Sequence, residues 1–297
     1  MKTTTNTIQS KKKKTLYVSD LDGTLLNNQS CLSANTVNKL NELIQQRGAH
    51  FTIATARTPA TVANLMKEVH SNLPYIVMAG AALWDNPKQN YQKVRTLHHS
   101  VVRQLLDIYE RHTVNPFLYR QQGNCIHAHH LPILTPQEKE FIDHRLTSPL
   151  KKLFTEEKLE IHEADDTMLV YSMGKYEQLR DIADEIEEKE IPCTQMCYHD
   201  IFDPSQGYLE IYAEGTTKAA AIQHLAEEIN ADRIVVFGDN LNDIPMMQSA
   251  DYSIAVGNAF NEVKEQADEI ISTNEEDAVV HWIESDLAHQ TNLHQND

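Results

Sequence analysis

The chain has 297 residues, 41% of them hydrophobic and 23% charged, with a formal net charge of -17 at pH 7. That length buries a sizeable core and allows one large domain or two smaller ones. So acidic a chain argues against nucleic acid or an anionic membrane as a main partner, because both need basic surface.

In chain order, residues 1–14 hold the run Lys11 to Lys14 and are expected to form a disordered, solvated arm. No apolar stretch of the kind a signal peptide needs follows it, and no run of about 18 apolar residues exists to span a bilayer, so a cytoplasmic place is expected. Leu16-Tyr17-Val18-Ser19 reads as a strand that ends in Asp20-Leu21-Asp22-Gly23-Thr24. The spacing predicts a helix over 33–47, with Ser33 as N-cap, Val37, Leu40, Leu43 and Ile44 on one face, and Gly48 at the end. His50 to Ala54 is a second strand, Pro59 opens a helix to about His70, and Pro74 to Ala79 is a third strand. Strand and helix alternating in this way is the sequence form of a doubly wound parallel sheet.

The texture changes at the turn Trp84-Asp85-Asn86-Pro87. Helices are expected over His99 to His112, Pro136 to Thr147 and Tyr176 to Glu190, with a loop around Gly123 and a strand over Met168 to Ser172. Doubly wound features return with a helix over Thr217 to Ile229 and the apolar strand Arg233 to Phe237. Short strands over Tyr252 to Val256 and Glu269 to Ser272 follow, with a helix over Phe260 to Ala267 between them, and the tail 285–297 is polar and expected to fray. The economical reading is an α/β core, 15–84 and 206–284, interrupted by an inserted α+β unit over 85–205. Cys31, Cys125, Cys193 and Cys197 give no disulfide framework, and Cys193, Cys197 and His199 lack the spacing of a structural zinc site.

Two acids one residue apart at a strand end can divide labour, one attacking or binding metal while the other moves a proton. A bare Asp-x-Asp-Gly also serves as a turn, so the motif gains meaning only if the rest of the chain answers it. Three segments do. Thr55-Ala56-Arg57 offers a hydroxyl and backbone amides to a phosphate oxygen, and Lys218 opens a helix after Glu214-Gly215-Thr216-Thr217. Gly238-Asp239-Asn240-Leu241-Asn242-Asp243 adds two acids and an amide after the most apolar strand. Hard oxygen donors of this kind suit magnesium, which also offsets repulsion between carboxylates and a phosphate.

In this order and spacing the four segments resemble the motifs of the haloacid dehalogenase superfamily of phosphatases. Ala79-Gly80-Ala81, Leu209-Glu210-Ile211 and Ala255-Val256-Gly257-Asn258-Ala259 are similar to its Cof-type subgroup, whose insertion is a C2 cap. The resemblance implies a Rossmann-like core, with Asp20 as nucleophile and Asp22 as general acid and base. It implies Mg2+ held by Asp20, the Asp22 carbonyl and Asp239, with Asp243 nearby. Leu21, Thr55, Ala56, Lys218 and Asn242 are implied to hold the phosphoryl group, and Arg57 either braces its loop or reaches substrate. The implied activity is hydrolysis of small phosphorylated metabolites through an aspartyl-phosphate; a phosphate-binding regulatory protein and a phosphomutase are the alternatives.

Three departures from the subgroup's pattern stand out. Ala56 stands where the subgroup usually has Gly, Ala79 where Asn is common, and Glu276-Asp277-Ala278-Val279 where an Asp-Gly-Val turn is frequent, the last with only a structural effect expected. In the insertion, His127, His129 and His130 are read as solvated loop histidines, with contact to a substrate's leaving group as the alternative if the insertion closes over the core; Arg120 and Tyr171 are further candidates, while Trp84 is expected to pack.

Overall fold

The computed structural model describes residues 13–133, 135–145, 148–164, 166–200 and 202–293. They form two compact units, the first made of the chain up to Ala54, Glu68–Leu73 and the chain from Ile222, the second of Thr55–Lys67 and Pro74–Ala221.

A five-stranded sheet holds the first unit, in the order Glu269–Ile270, Tyr252–Ala255, Arg233–Gly238, Thr15–Ser19, His50–Ile53. Every neighbouring pair runs parallel. The central strands are the most apolar and are almost wholly buried, as strands covered on both faces must be. From Thr15–Ser19 the chain steps outward to one side, and from Arg233–Gly238 to the other. The reversal of strand order therefore falls between these two strands, the place where open α/β sheets bind ligands.

Helix Ala34–Gln45 follows from its sequence as expected: the Ser33 hydroxyl accepts from the Thr36 N–H at 2.9 Å, and Leu40, Leu43 and Ile44 are buried. Gly48 takes φ +71°, which lets the chain turn back into the sheet.

In the second unit, a six-stranded sheet has the order Cys193–His199, Gln206–Ala213, Thr167–Lys175, Phe117–Gln122, Cys125–His130, Lys151–Thr155. Its last pair is parallel and the others antiparallel. Leu118, Val170, Leu209 and Ile211 from the strands meet Leu105, Ile108, Leu179 and Ile182 from helices His99–His112 and Tyr176–Glu188 in one buried core. A three-stranded antiparallel sheet, Tyr75–Val77, Ala82–Asp85 and Asn90–Val94, completes the unit.

Several expectations are corrected. Tyr75–Val77 is a strand, but it pairs with a hairpin partner and does not extend the parallel sheet. The chain passes between the two compact units after Ala54, Lys67, Leu73 and Ala221, and the small sheet belongs to the second unit. Residues around Gly123 are a hairpin turn, and His127, His129 and His130 lie on a strand in which Ile126, Ala128 and His130 are buried on alternate positions. The helix opened by Pro59 ends at Leu65. The tail expected to fray is helix Ala278–Leu293 as far as it is described. Ile283 and Leu287 are buried, while Asp286 accepts from the Tyr17 hydroxyl at 2.7 Å and from Arg233 at 3.0 Å. Asp286 and Gln290 face partners, whereas Ser285, His289 and Thr291 are exposed, a division that the sequence pattern alone does not show. Most of the expected N-terminal arm lies outside the described residues, but the Lys14 N–H donates to Asp232 at 2.8 Å. Trp84 is fully buried, with its indole N–H on Asn86 at 2.9 Å.

Asp277 ties the start of helix Ala34–Gln45 to the last helix: Oδ1 accepts from Ser33 Oγ at 2.6 Å and Thr36 Oγ1 at 2.7 Å, and Oδ2 from Asn35 Nδ2 at 2.9 Å. Burial pushes its pKa up, but these bonds to Ser33, Thr36 and Asn35 outweigh burial and hold the carboxyl below its ordinary value. A depressed folded pKa stabilises the fold above the unfolded carboxylate value and loses that contribution as pH falls through the folded one. Asp277→Asn, which keeps a residue tolerant of φ +52°, is expected to cost about 1 kcal/mol at neutral pH. Urea unfolding should show this gap to wild type closing as the pH is lowered through the carboxylate range.

Candidate active site

Ser19 pairs with Phe237 in register, so the residues that follow, Asp20 and Gly238-Asp239, leave two adjacent strands side by side. The Asp20 N–H donates to the Phe237 carbonyl at 2.9 Å and extends that pairing by one residue. Beyond it the chain makes a wide turn closed by the Leu26 N–H on the Leu21 carbonyl at 2.9 Å. Gly23 sits inside this turn at φ +76°. A Cβ there would come within 2.4 Å of Asp239 Oδ2, so only glycine lets the turn lie against that carboxylate.

Asp20, Asp239 and Asp243 each place a carboxylate oxygen within 4.8 Å of the others, and among the described residues this is the one such group with metal-site spacing. Asp20 and Asp243 are buried. The Thr24 hydroxyl donates to Asp239 Oδ1 at 2.7 Å. The N–H groups of Asp239 and Asn240 donate to Asp243 Oδ2 at 3.1 and 3.2 Å. Gly238 permits the approach, since a Cβ on it would meet Asp243 Cβ at 2.8 Å. These bonds orient carboxylates that repel one another, and a divalent ion bound among them would offset that repulsion. Three hard oxygen donors fit a divalent ion of the magnesium or calcium type and not a thiolate-loving metal. The Asp22 side chain is exposed and stands outside this group, as does the exposed side chain of Asn242. Leu21 is fully buried.

The other expected residues belong to the second unit. Thr55 is buried; its N–H donates to Ile76 O at 3.0 Å and its Oγ1 accepts from the Arg57 N–H at 3.1 Å. Ala79 N–H donates to Thr55 O and Met78 N–H to Arg57 O, each at 3.0 Å, so the Thr55–Arg57 segment and the Met78–Gly80 turn brace each other. Gly80 presses against the next segment, where a Cβ would lie 2.3 Å from Thr217 O. Thr217 caps helix Lys218–Ile229, its Oγ1 accepting from the Ala220 N–H at 3.0 Å. Thr55, the turn and buried Lys218 are thus linked within one unit. Ala79 has φ +53°, the left-handed region where Asn is tolerated best after Gly. The departure from Asn at this position therefore acts on the backbone. Ala56 is exposed and its φ is not positive, so its backbone does not call for glycine.

Two residues were missed in the sequence. Arg95 donates to Thr216 Oγ1 at 3.1 Å and to Glu214 O at 2.6 Å, bracing the loop before Lys218. Thr24 was quoted with its motif but given no role. In the insertion, His129 Nδ1 meets Glu156 Oε1 at 2.9 Å, and burial, with Lys152 and His129 close by, lowers the pKa of His127. Arg120 donates to Glu160 O at 2.5 Å, and Tyr171 stacks on Phe141 with ring centres 5.2 Å apart. Cys193 and Cys197 face the helical core of the second unit; burial pushes the Cys193 thiol up to about 11, which disfavours a thiolate metal ligand.

Among the described residues no helix is long and apolar enough to cross a membrane. A family model described as haloacid dehalogenase-like hydrolase matches residues 17–283. The chain is 28% identical over 274 residues to 5-amino-6-(5-phospho-D-ribitylamino)uracil phosphatase of Bacillus subtilis, covering 90% of this chain and 95% of that one. It is 23% identical over 283 residues to pyridoxal phosphate phosphatase of Escherichia coli, covering 90% and 97%. A solved haloacid dehalogenase-like hydrolase from Bacteroides thetaiotaomicron has the same fold, with a TM-score of 0.72, 23% identity, and coverage of 92% of this chain and 99% of that one.

Gly23→Ala tests the crowding at the acidic group. The added Cβ is expected to push Asp239 aside, since a side-chain oxygen yields more readily than backbone, and to weaken binding of a divalent ion about tenfold or more in calorimetric titration with Mg2+ as the probe.

Proposed function

The chain belongs to the haloacid dehalogenase-like hydrolases, and on that premise we propose that it is a magnesium-dependent phosphatase of small phosphorylated metabolites. The observation that carries the reading is the meeting of Asp20, Asp239 and Asp243 at the reversal point of the parallel sheet. Similarity to phosphatases over nine-tenths of the chain supports the substrate class.

In this reading a carboxylate oxygen of Asp20 attacks phosphorus while the bond to the leaving oxygen breaks. Asp22 donates its proton to that oxygen, which departs as a neutral hydroxyl. Water then attacks the phosphorus of the aspartyl-phosphate, Asp22 takes the water's proton, and the phosphorus bond to Asp20 breaks. The environments suit these roles: Asp20 is buried and fixed by backbone pairing, whereas Asp22 is exposed on the next turn. When bound, Mg2+ held by Asp20, Asp239, Asp243 and the Asp22 carbonyl would neutralise charge on the transferring group. Thr55, the Leu21 and Ala56 amides, Lys218 and Asn242 are assigned to the phosphoryl oxygens, and Arg57 to bracing or substrate contact. Positioning and charge neutralisation supply most of the catalysis in such transfers. We assign choice of the substrate's organic part to the inserted segment 85–205, and a cytoplasmic place to the protein.

Asp20→Asn is expected to abolish release of phosphate from p-nitrophenyl phosphate, and turnover like wild type in this variant would sink the nucleophile assignment. Asp22→Asn should keep the fold, checked by circular dichroism, and lose activity by a factor of about 100 or more. Chelation should stop turnover, with Mg2+ restoring it and Ca2+ failing to, because calcium's looser coordination misplaces the nucleophile.

A further inference from the structure

Two asparagines from the far edge of the sheet hold the turn that carries Asp22. The Asn258 amide donates from Nδ2 to the Gly23 carbonyl at 2.7 Å, across a sequence separation of 235 residues. Its Oδ1 accepts from the Asn274 N–H at 3.0 Å. Asn274 is 5% exposed and donates from Nδ2 to the Leu26 carbonyl at 2.8 Å. The two carbonyls gripped in this way, of Gly23 and Leu26, lie on either side of Thr24, whose hydroxyl binds Asp239. Asn258 follows strand Tyr252–Ala255, and Asn274 follows strand Glu269–Ile270. All of these residues belong to the first unit.

Glycine at φ +76° has little intrinsic preference for one orientation of its following peptide. A hydrogen bond to its carbonyl sets that orientation from outside. Turning the Gly23–Thr24 peptide would move Thr24 off Asp239 and swing Asp22 relative to Asp20. An amide is suited to the task because one side chain must donate to Gly23 and accept from Asn274 at once, and Asn carries both functions on one rigid plane. Aspartate has the same shape but offers no donor.

We propose that Asn258, backed by Asn274, is a positioning residue for the phosphoryl-transfer step, acting through the Gly23 carbonyl to fix Asp22 and Thr24. This rests on the phosphatase reading above. Asn258 bonds the Gly23 carbonyl and the Asn274 N–H, and its effect is therefore expected on turnover and on Mg2+ activation more than on substrate affinity.

The test compares wild type, Asn258→Ala and Asn258→Asp with p-nitrophenyl phosphate across Mg2+ concentrations, with thermal unfolding of each protein. The expected result is a fall in kcat on the order of tenfold or more in both variants. KM should stay within about twofold, the Mg2+ needed for half-activation should rise, and Asn258→Asp should unfold near the wild-type temperature. Wild-type kcat in Asn258→Asp would overturn the proposal, as would a rise in KM at unchanged kcat. A loss of activity in Asn258→Ala that matches its loss of folded protein, with Asn258→Asp fully active, would also overturn it. Absence of phosphate release from wild type itself would instead count against the phosphatase reading.

Discussion

Three carboxylates drawn within 4.8 Å of one another, two of them buried, set the condition that the rest of the first unit has to meet. Like charges at that range repel one another, and a flexible chain would let them separate. Here each is held by backbone or hydroxyl groups whose positions the sheet dictates. Asp20 is one residue beyond a paired strand, Asp239 is bound by Thr24, and Asp243 is bound by two consecutive N–H groups. Gly23 and Gly238 lack the Cβ atoms that would collide with Asp239 and Asp243. The fold thus holds in place a repulsion that a bound divalent ion would offset.

The topology explains why these acids meet although more than two hundred residues separate them. Two parallel neighbours end at the same level, and the reversal of strand order leaves no crossover covering that end. The second unit has its own set of braces, around Thr55 and Lys218. There the Met78–Gly80 turn links the Thr55 segment to the start of the Lys218 helix, at the expense of left-handed backbone at Met78 and Ala79. Strain of about 1 kcal/mol per residue persists only where neighbours over-determine it.

Much of this was legible in the residues. The acids of the first unit could be named because Asp-Leu-Asp-Gly-Thr and Gly-Asp-Asn-Leu-Asn-Asp each follow a run too apolar for anything but a central strand. Ser33 and Gly48 marked a helix whose ends behave by local rules. What was not legible depended on partners distant in sequence. Cys125–His130 alternates in a way that a strand needs, but three histidines masked the pattern, because His counts as polar whether or not it is buried. Asp286 and Gln290 made the last helix read as solvated, when they bond Tyr17 across the sheet's face. Tyr75–Val77 had the composition of a sheet strand, yet composition does not say which sheet. The braces Arg95 and Asn258 carry no local signature of their function, since each acts on a carbonyl or hydroxyl more than a hundred residues away.

The pairing of Thr15–Ser19 with Arg233–Gly238 also orders events during synthesis. As the chain leaves the ribosome, the first strand can join His50–Ile53 early, but its other edge has no partner until residues past 238 have emerged. The whole six-stranded sheet of the second unit, complete by Ala213, is made before that moment. An apolar strand with one open edge is the kind of surface that pairs with the wrong chain while it waits. The nascent protein is therefore most exposed to aggregation over the interval in which the insertion is translated, and closing the parallel sheet is the step that ends it.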